Sequence, residues 1–573
     1  MPIAKPAANR YGASTPGVPV IAVACGFVAV ALSRIQEPVA QDEINWLFTA
    51  DVFLNEGHRT TSPVAMFSPH LYVNLVWLCL KLFGPGVAVA RIPGVLAWVL
   101  TLALVCVVVR RSRPADAGTA PCQAFVAVLL CASLPAAVQA AAIIDIDNTV
   151  LVPATVALCY AFERLLKERS VAWHLAFALL MCLALWCRTT TPLVLMPVFV
   201  AVAALSGGAG AAVRVGGWAA LGGAAFAGTW LVYCKAFGFN VWGPLSYTGG
   251  SLVYRSIGSG GFSVSWFAQS LVYLVLWTGM LTPVLILWIT GSRLRSWWRE
   301  RCVRPEDIYL LGGLALVIGY TFVGGAVYGF PKHHCPGFPL LCIAAGLAMP
   351  KAGGLCGRRL WLLVLALAAA AALVQYLVVG DLLRVIRCDL RTAVLEHASV
   401  RPFVVSAAVR AILGFGMCAG LVGLSSRVHG GRALLLPVAL VVVVLGVNMG
   451  LVVLQQVRPY YKGYNYGGSG TVETARRLDK CVPAAQEIIA PSEVVYYLHR
   501  ERRYHENEFW DSPERLRVAL EDPRTGAFVI SPMTHTVAQV RQTTGDGEVA
   551  RLLREQFMTE RIGSFRVSTR KHE

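Results

Sequence analysis

The chain has 573 residues, of which 56% are hydrophobic and 14% are charged, and its mean hydropathy is +0.60. Soluble globular proteins carry about 25% charged residues, so this composition excludes an ordinary soluble enzyme and predicts a polytopic α-helical membrane protein. The net charge of +18 does not indicate a nucleic-acid partner, because many of the Lys and Arg residues lie in short loops between apolar segments, where they set membrane topology.

Long apolar runs predict about thirteen transmembrane helices, because each span needs roughly 17 to 25 apolar residues. They lie approximately at residues 18–35, 87–109, 122–142, 149–166, 172–187, 192–206, 213–236, 268–291, 307–329, 335–350, 360–380, 403–425 and 433–456. With a cytoplasmic amino terminus, the basic clusters around Arg110, Lys167, Arg299 and Arg427 all fall on the cytoplasmic side. The arginine-bearing loop 381–402 falls outside and is the exception in this count.

The composition becomes polar after the last predicted span. Short apolar runs, such as 487–490 and 527–530, are separated by segments with helical periodicity. This alternation predicts a small α/β domain, and about 115 residues are enough for an independent core. The predicted organisation is therefore a transmembrane domain at residues 1–457 and an extracytoplasmic carboxy-terminal α/β domain at residues 458–573.

The first outer loop, residues 36–86, carries two adjacent carboxylates, Asp42 and Glu43, directly after the first predicted span. The apolar residues that follow them recur with helical spacing, which predicts an amphipathic helix in the membrane interface. Ionisable residues near a bilayer cost free energy and usually mark a functional site. We therefore take this pair as the first candidate for chemistry.

The second outer loop is short and carries two further acids, Asp145 and Asp147, on alternate residues. Such a pair has the chemistry to bind a cation or to orient an acceptor. The alternative is that Asp147 or Asn148 simply caps the amino terminus of the next helix. The sequence leaves both interpretations open.

Basic residues on the outer side run against the topological trend, so they call for a ligand. Arg188 and the run Lys332-His333-His334 lie in predicted outer loops. A phosphate is the obvious ligand, through charge-assisted hydrogen bonds. For the two histidines a metal role stays open beside loop structure or anion contact, and a divalent cation is the one cofactor that the sequence leaves open.

These motifs occur in a characteristic order: Asp42-Glu43, Phe67-Ser-Pro-His-Leu-Tyr, Lys81-Leu-Phe-Gly84, Arg91-Ile-Pro-Gly94, Asp145-Ile-Asp147 and Lys332-His-His-Cys-Pro-Gly-Phe-Pro339. The order resembles the GT-C superfamily of integral-membrane glycosyltransferases. It is most similar to the protein O-mannosyltransferase-like branch, which includes the bacterial lipid A aminoarabinose transferases. The resemblance covers the whole membrane part, and a fold of thirteen spans with an outer carboxy-terminal domain is also typical of that branch.

The resemblance implies a reaction and roles for the acids. Enzymes of this branch move a sugar from a polyprenyl-phosphate donor to an acceptor on the outer face, with inversion at the anomeric carbon. Asp42 would be the general base that deprotonates the acceptor hydroxyl, and Glu43 would orient Asp42 or the acceptor. Asp147, with Asp145, would match the second acidic motif of the family.

The resemblance also implies the phosphate-side cations, which are Arg188, Lys332 and His333. Close relatives of the aminoarabinose transferases carry a Lys before a Pro-Pro pair in the first outer loop, whereas this chain has Phe67-Ser-Pro-His70 and no Lys there. Arg59 or His70 is the candidate to replace that phosphate contact.

The predicted function is thus sugar transfer from a polyprenyl-phosphate-linked donor, and two other classes are alternatives. A transporter or flippase of lipid-linked precursors would place charges near the bilayer midplane, whereas the acids here cluster at one face. A non-catalytic scaffold would tolerate the loss of Asp42. The acceptor stays open between lipid A, another glycan and protein. The expected location is a bacterial inner membrane, in contact with membrane lipid, with the active site facing the periplasm.

Overall fold

A computed structural model of the chain shows a bundle of helices followed by a mixed α/β unit. The structure describes residues 18–571 apart from 40, 59–67, 113–119, 169, 245, 247–263, 279–285, 301–302, 323–330, 350–357, 381, 383–384, 387–389, 396–397, 429–434, 458–468, 500–502, 506–511 and 532–536.

The first half of the bundle contains the helices that carry most candidate site residues. They are α1 (Val18–Leu32), α2 (Gln41–Asn55), α3 (Leu71–Phe83), α4 (Val87–Ser112), α5 (Ala120–Ser133), α6 (Pro135–Ala141), α7 (Leu151–Glu168), α8 (Val171–Cys187) and α9 (Thr190–Phe237). Helices α2 and α3 lie in the predicted first outer loop, as the helical spacing of that loop indicated.

The second half contains the remaining helices of the bundle. They are α10 (Val264–Thr278), α11 (Leu287–Glu300), α12 (Pro305–Phe322), α13 (Gly337–Ala348), α14 (Arg358–Val374), α15 (Leu390–Leu395), α16 (Arg401–Val428) and α17 (Leu435–Val457). A 3₁₀ turn at Lys332–His334 precedes α13, and Gln375–Val379 extends α14 as a π-helix.

Glycine and proline residues interrupt the helical conformation in two helical segments. Helix α9 is interrupted at Gly207 and Gly208, and Gly208 has a φ of 72°, a left-handed value that favours glycine. The break separates the two spans predicted at 192–206 and 213–236. Helices α5 and α6 meet at 68° before Pro135, because proline disfavours a helical conformation in the residue that precedes it. The single span predicted at 122–142 is therefore bent.

Not every helix is long enough to cross a bilayer alone. Among the described residues, four helices have the length and hydropathy for crossing, or five if the bent pair α5–α6 counts as one span. Shorter apolar helices, including Val171–Cys187 and Gly337–Ala348, lie at other predicted positions. The fold is thus a helical membrane fold, and the number of thirteen spans stays a prediction.

The tail forms a five-stranded mixed sheet with helices on both faces. The strands are β1 (Glu487–Ile489), β2 (Tyr504–His505), β3 (Thr525–Ile530), β4 (Phe557–Ile562) and β5 (Phe565–Arg570), in the order β2-β1-β3-β5-β4. The first three are parallel neighbours, and β3–β5 and β5–β4 pair antiparallel. The helices are α18 (Thr471–Cys481), α19 (Ser492–Val495), α20 (Pro513–Glu521), α21 (Val537–Thr544) and α22 (Glu548–Gln556).

Two contacts illustrate how the described residues of the tail meet the helical bundle. Leu395 of α15 is buried in the cluster formed by Phe528, Leu516 and their neighbours in the tail. The Tyr497 hydroxyl accepts a hydrogen bond from the Val39 backbone N–H at 3.1 Å. The tail, helix α15 and the loop before α2 therefore lie at the same end of the bundle.

The other end of α4 carries a separate polar cluster. Buried Glu163 of α7 accepts hydrogen bonds from Ser112 Oγ at 2.6 Å, Lys167 Nζ at 2.5 Å and Tyr309 Oη at 2.5 Å. These hydrogen bonds satisfy a carboxylate that burial would otherwise penalise. Because Ser112 lies in α4, Glu163 in α7 and Tyr309 in α12, the cluster connects these three helices.

Candidate active site

The second carboxylate of the first outer loop is part of a buried ion pair. Glu43 is 0% exposed and Arg91 of α4 is 1% exposed. Arg91 Nε lies 3.0 Å from Glu43 Oε1, and Arg91 Nη2 lies 2.8 Å from Glu43 Oε2. This is the bidentate geometry in which a guanidinium and a carboxylate interact most strongly.

The same guanidinium also binds the loop between α1 and α2. Arg91 Nη1 donates to the carbonyl oxygens of Ile35 at 3.1 Å and Glu37 at 2.6 Å, and Nη2 donates to that of Pro38 at 3.4 Å. A guanidinium carries five N–H donors in a fixed plane, so one side chain can hold several carbonyls at once. Arg91 thereby sets where α2 begins.

Glu43 connects this turn to the second acidic motif. Its Oε1 accepts a hydrogen bond from the Ile144 backbone N–H at 2.9 Å, one residue before Asp145. The first turn of α2, which carries Asp42, and the 143–147 loop are therefore direct neighbours. The role predicted for Glu43 in orienting Asp42 stays a prediction. Arg91 belongs to the motif Arg91-Ile-Pro-Gly94, but the sequence alone indicates no role for it.

One face of α4 brings the two loops together. Arg91, Gly94 and Trp98 are three and four residues apart, which places them on the same helix face. Trp98 Nε1 donates to the Asn148 carbonyl at 2.7 Å. A Cβ on Gly94 would lie 2.9 Å from the Ala141 carbonyl oxygen, so only glycine permits this approach. The helical spacing of Arg91, Gly94 and Trp98 is the sequence signal that could have identified Arg91 as a site residue.

The 145–148 loop is folded on itself rather than onto the next helix. Asp145 Oδ1 accepts the Asp147 backbone N–H at 2.8 Å. Helix α7 begins only at Leu151, where the Val152 N–H bonds to the Thr149 carbonyl. The alternative in which Asp147 or Asn148 caps that helix is therefore wrong.

Both acids of this loop contact the predicted cations. Lys332 Nζ lies 3.3 Å from Asp145 Oδ2, and Arg188 Nε lies 3.3 Å from Asp147 Oδ1. His333 Nδ1 lies 3.0 Å from Asp147 Oδ2. The two carboxylates are 0% and 2% exposed, whereas the side chains of Lys332 and Arg188 are 13% and 17% exposed. We call these five residues the acid–cation cluster.

Helices α8, α9 and α12 position the basic half of this cluster. Arg188 directly follows the last residue of α8. Tyr320 of α12 shares hydrogen bonds with the hydroxyls of Thr190 at 3.0 Å and Thr191 at 2.9 Å. Its ring stacks on His333, with 5.4 Å between ring centroids. Sequence reasoning missed Tyr320, because no pattern around it differs from that of an ordinary membrane helix.

Burial and neighbouring charges shift the pKa values of His333 and Asp147 in opposite directions. Burial lowers the pKa of His333 to about 4, and this outweighs the nearby Asp147 carboxylate. Burial alone would raise the pKa of Asp147, but Arg188, His333 and Lys332 together hold it below its usual range. At neutral pH, Asp147 is therefore ionised and His333 is neutral.

The adjacent histidines have different partners. His334 Nε2 lies 3.1 Å from Thr321 Oγ1, whereas His333 contacts Asp147. Within the described part of the chain, no group of three His, Cys, Asp or Glu residues is placed to hold a metal ion.

The remaining predicted site residues have other surroundings. His70 packs among aromatic rings, with Phe239 at 4.6 Å and Trp230 at 5.4 Å, and its Nδ1 lies 3.2 Å from Tyr233 Oη. Arg59 lies outside the described residues, and of Asp42 the structure describes only the backbone, in the first turn of α2. The phosphate role of His70 and Arg59 stays a prediction.

Comparisons with known proteins give two matches of different kinds. The model of the dolichyl-phosphate-mannose-protein mannosyltransferase family matches residues 68–233. The fold matches crystal structures of ArnT from Cupriavidus metallidurans, one bound to undecaprenyl phosphate and one in the apo state. The TM-score is 0.54 for both, at 15% and 16% identity, and the matches cover 96% of this chain and 97% and 96% of those chains. The family-model match supports the resemblance to protein mannosyltransferases over residues 68–233, and the ArnT matches show a shared fold.

Other comparisons are more distant. The archaeal oligosaccharyltransferase AglB from Archaeoglobus fulgidus, solved with an inhibitory peptide and a dolichol-phosphate, has a TM-score of 0.45 at 11% identity, over 95% of this chain and 74% of that chain. No curated protein sequence matches the chain. The mannosyltransferase family model covers Arg91, both acids of the second motif and Arg188, whereas Asp42 and Lys332 lie outside the matched residues.

The Glu43–Arg91 pair yields a prediction on stability. Substitution Arg91→Met leaves a buried carboxylate without its cation, which typically costs about 3–5 kcal/mol. We expect the thermal unfolding midpoint in detergent to fall clearly. The double variant Glu43→Leu/Arg91→Met should recover part of the loss, since no unpaired charge remains.

Arg477→Gln is the matched control, because Arg477 pairs with Glu560 at 2.8 Å on the surface, where both side chains are exposed. Exposed ion pairs contribute little to stability. A midpoint for Arg91→Met no lower than that of Arg477→Gln would contradict the structural role of the Glu43–Arg91 pair.

The buried histidines yield a prediction on pH. Burial lowers the pKa of His333 to about 4 and that of His334 to about 3, whereas histidine in an unfolded chain titrates near about 6.5. Between these values the unfolded chain binds more protons, so stability falls as the pH is lowered from about 6.5 to about 4. We expect the unfolding midpoint to follow this decline, and to decline less in His334→Gln. The exposed His499 serves as the control, and equal pH slopes for His334→Gln and His499→Gln would refute the assignment.

Proposed function

We propose that this chain is an inverting glycosyltransferase that moves a sugar from a polyprenyl-phosphate donor to an acceptor on the outer face of a membrane. The hydrogen bond between Glu43 and the Ile144 N–H carries the proposal, because it makes the Asp42-bearing turn the neighbour of the acid–cation cluster. The family-model match and the fold support a membrane glycosyltransferase, and the undecaprenyl phosphate bound to ArnT supports a lipid-phosphate donor.

The acid–cation cluster has the electrostatics that phosphate binding requires. With His333 neutral, two carboxylates balance Lys332 and Arg188, so the cations stay in place without a donor. Because both cations keep an exposed fraction while the carboxylates are buried, an incoming phosphate meets the basic side of the cluster.

In the proposed reaction, the acceptor hydroxyl oxygen attacks the anomeric carbon on the face opposite the phosphate. Asp42 takes the hydroxyl proton as the new C–O bond forms. The bond between the anomeric carbon and the phosphate oxygen breaks, and its electron pair leaves with the polyprenyl phosphate. Lys332 and Arg188 stabilise the charge that develops on that phosphate, and their fixed positions avoid reorganisation at the moment of reaction.

The position of the charges favours an enzyme over a transporter. A transporter of lipid-linked precursors is expected to bind its substrate near the bilayer midplane. Here the acids and cations gather at the end of the bundle that also carries α2 and the tail. The proposal places this end at the periplasmic side of a bacterial inner membrane, with lipid A, another glycan or protein as the acceptor.

Asp42 yields the first functional prediction. In liposomes supplied with a panel of synthetic polyprenyl-phosphate sugars, the wild type should transfer sugar, and Asp42→Asn should lose roughly 100- to 10,000-fold in kcat, the usual contribution of a general base. Asp51→Asn, the same substitution later in α2, is the control and should keep most of the activity. A cellular complementation test in which Asp42→Asn behaves like the wild type would favour the scaffold or transport reading instead.

Lys332 yields the second functional prediction. Lys332→Met should weaken binding of polyprenyl phosphate, measured without any sugar, by roughly 10- to 100-fold, the worth of a charge-assisted hydrogen bond. Binding should also become less sensitive to ionic strength, because a charge contact is removed. Lys480→Met, in the exposed part of α18, should leave affinity unchanged. Equal affinities for the two variants would remove Lys332 from the donor site.

A further inference from the structure

The carboxy-terminal unit contacts the loop that leads into α2. The Tyr497 hydroxyl accepts a hydrogen bond from the Val39 backbone N–H at 3.1 Å. The rings of Tyr496 and Tyr497 pack against the cluster that contains Val39, Ile44 and Leu47. The contact therefore combines one directed hydrogen bond with apolar packing on the first residues of the outer loop.

The residues directly before α2 are thus held from two directions. On one side, Arg91 of α4 binds the carbonyl oxygens of Ile35, Glu37 and Pro38. On the other side, Tyr497 binds the N–H of Val39, which is 3% exposed. A buried backbone N–H that loses its partner is costly, so this segment has one favoured position. Asp42 follows three residues later.

Tyr497 comes from a rigid part of the tail. It lies two residues after α19, whose Val494 and Val495 are buried in the cluster that also contains Ile488 and Val529 of the sheet. Burial raises the pKa of the Tyr497 hydroxyl, which keeps it protonated at neutral pH. The tail also contacts the helical bundle at Leu395.

We propose that Tyr497 is a positioning residue for sugar transfer: through the N–H of Val39, the carboxy-terminal unit fixes the first turn of α2 and with it the general base Asp42. This inference rests on the proposed function, in which Asp42 removes the acceptor proton. It gives the tail a positioning role in a reaction that takes place in the helical bundle.

Tyr497→Phe tests the inference, because it keeps the ring and removes only the acceptor oxygen. In the full-length protein, kcat should fall roughly three- to tenfold, while the KM for the donor stays the same. The thermal unfolding midpoint should fall slightly, because the buried Val39 N–H loses its partner. Tyr504→Phe, at an exposed tyrosine of the same unit, is the matched control. In an Asp42→Asn background, Tyr497→Phe should cause no further loss, because it acts through Asp42.

Hydrogen–deuterium exchange of the segment 36–47 provides a readout that needs no substrate. Exchange should be faster in Tyr497→Phe than in the wild type and Tyr504→Phe, and unchanged in the rest of the bundle. Unchanged exchange, or faster exchange with an unchanged kcat, would overturn the positioning role. If the wild type transfers no sugar from any donor, the proposed function fails, and exchange alone decides whether Tyr497 holds this segment.

Discussion

The buried pair of Glu43 and Arg91 is the interaction on which the rest of the site depends. Taking two charges out of water costs several kcal/mol each, roughly, and is tolerated only when the remaining polar atoms are satisfied. Here the carboxylate takes a bidentate partner and the Ile144 N–H, and the guanidinium takes carbonyls of the loop before α2. One pair therefore determines where α1, α2, α4 and the 143–147 loop meet.

The two adjacent carboxylates of the first outer loop have separate tasks in this arrangement. Glu43 is committed to Arg91, which leaves Asp42 as the proposed base. The acids of the second motif have a comparable supporting role, since Asp145 and Asp147 pair with Lys332 and Arg188, the proposed phosphate contacts. Because carboxylates and cations alternate, the site keeps two cations in a buried region without a net charge.

The tail adds a constraint from outside the bundle. Its contacts at Leu395 and Val39 connect it to helix α15 and to the loop before α2. Arg91 and Tyr497 bind opposite polar groups of the same short segment, carbonyls on one side and an N–H on the other. The membrane part and the tail thus act together on the turn that carries Asp42.

The sequence predicted the helical membrane class, the helices of the first outer loop, the alternation of strands and helices in the tail, and the acids and cations of the site. These features were predictable because hydropathy, periodicity and charge are local properties of the chain. The aromatic surroundings of His70, among them Phe239 and Trp230, come from distant parts of the chain, and the sequence did not indicate them.

By itself, the sequence determined which residues could carry chemistry, and it predicted that they gather on the outer side of the membrane. Only the tertiary structure decided their partners: Arg91 for Glu43, Lys332 for Asp145, and the Val39 N–H for Tyr497. Asp145 and Lys332 are 187 residues apart, and Val39 and Tyr497 are 458 apart. Such pairs form only when helices pack in one register, and a local pattern of residues does not encode that register.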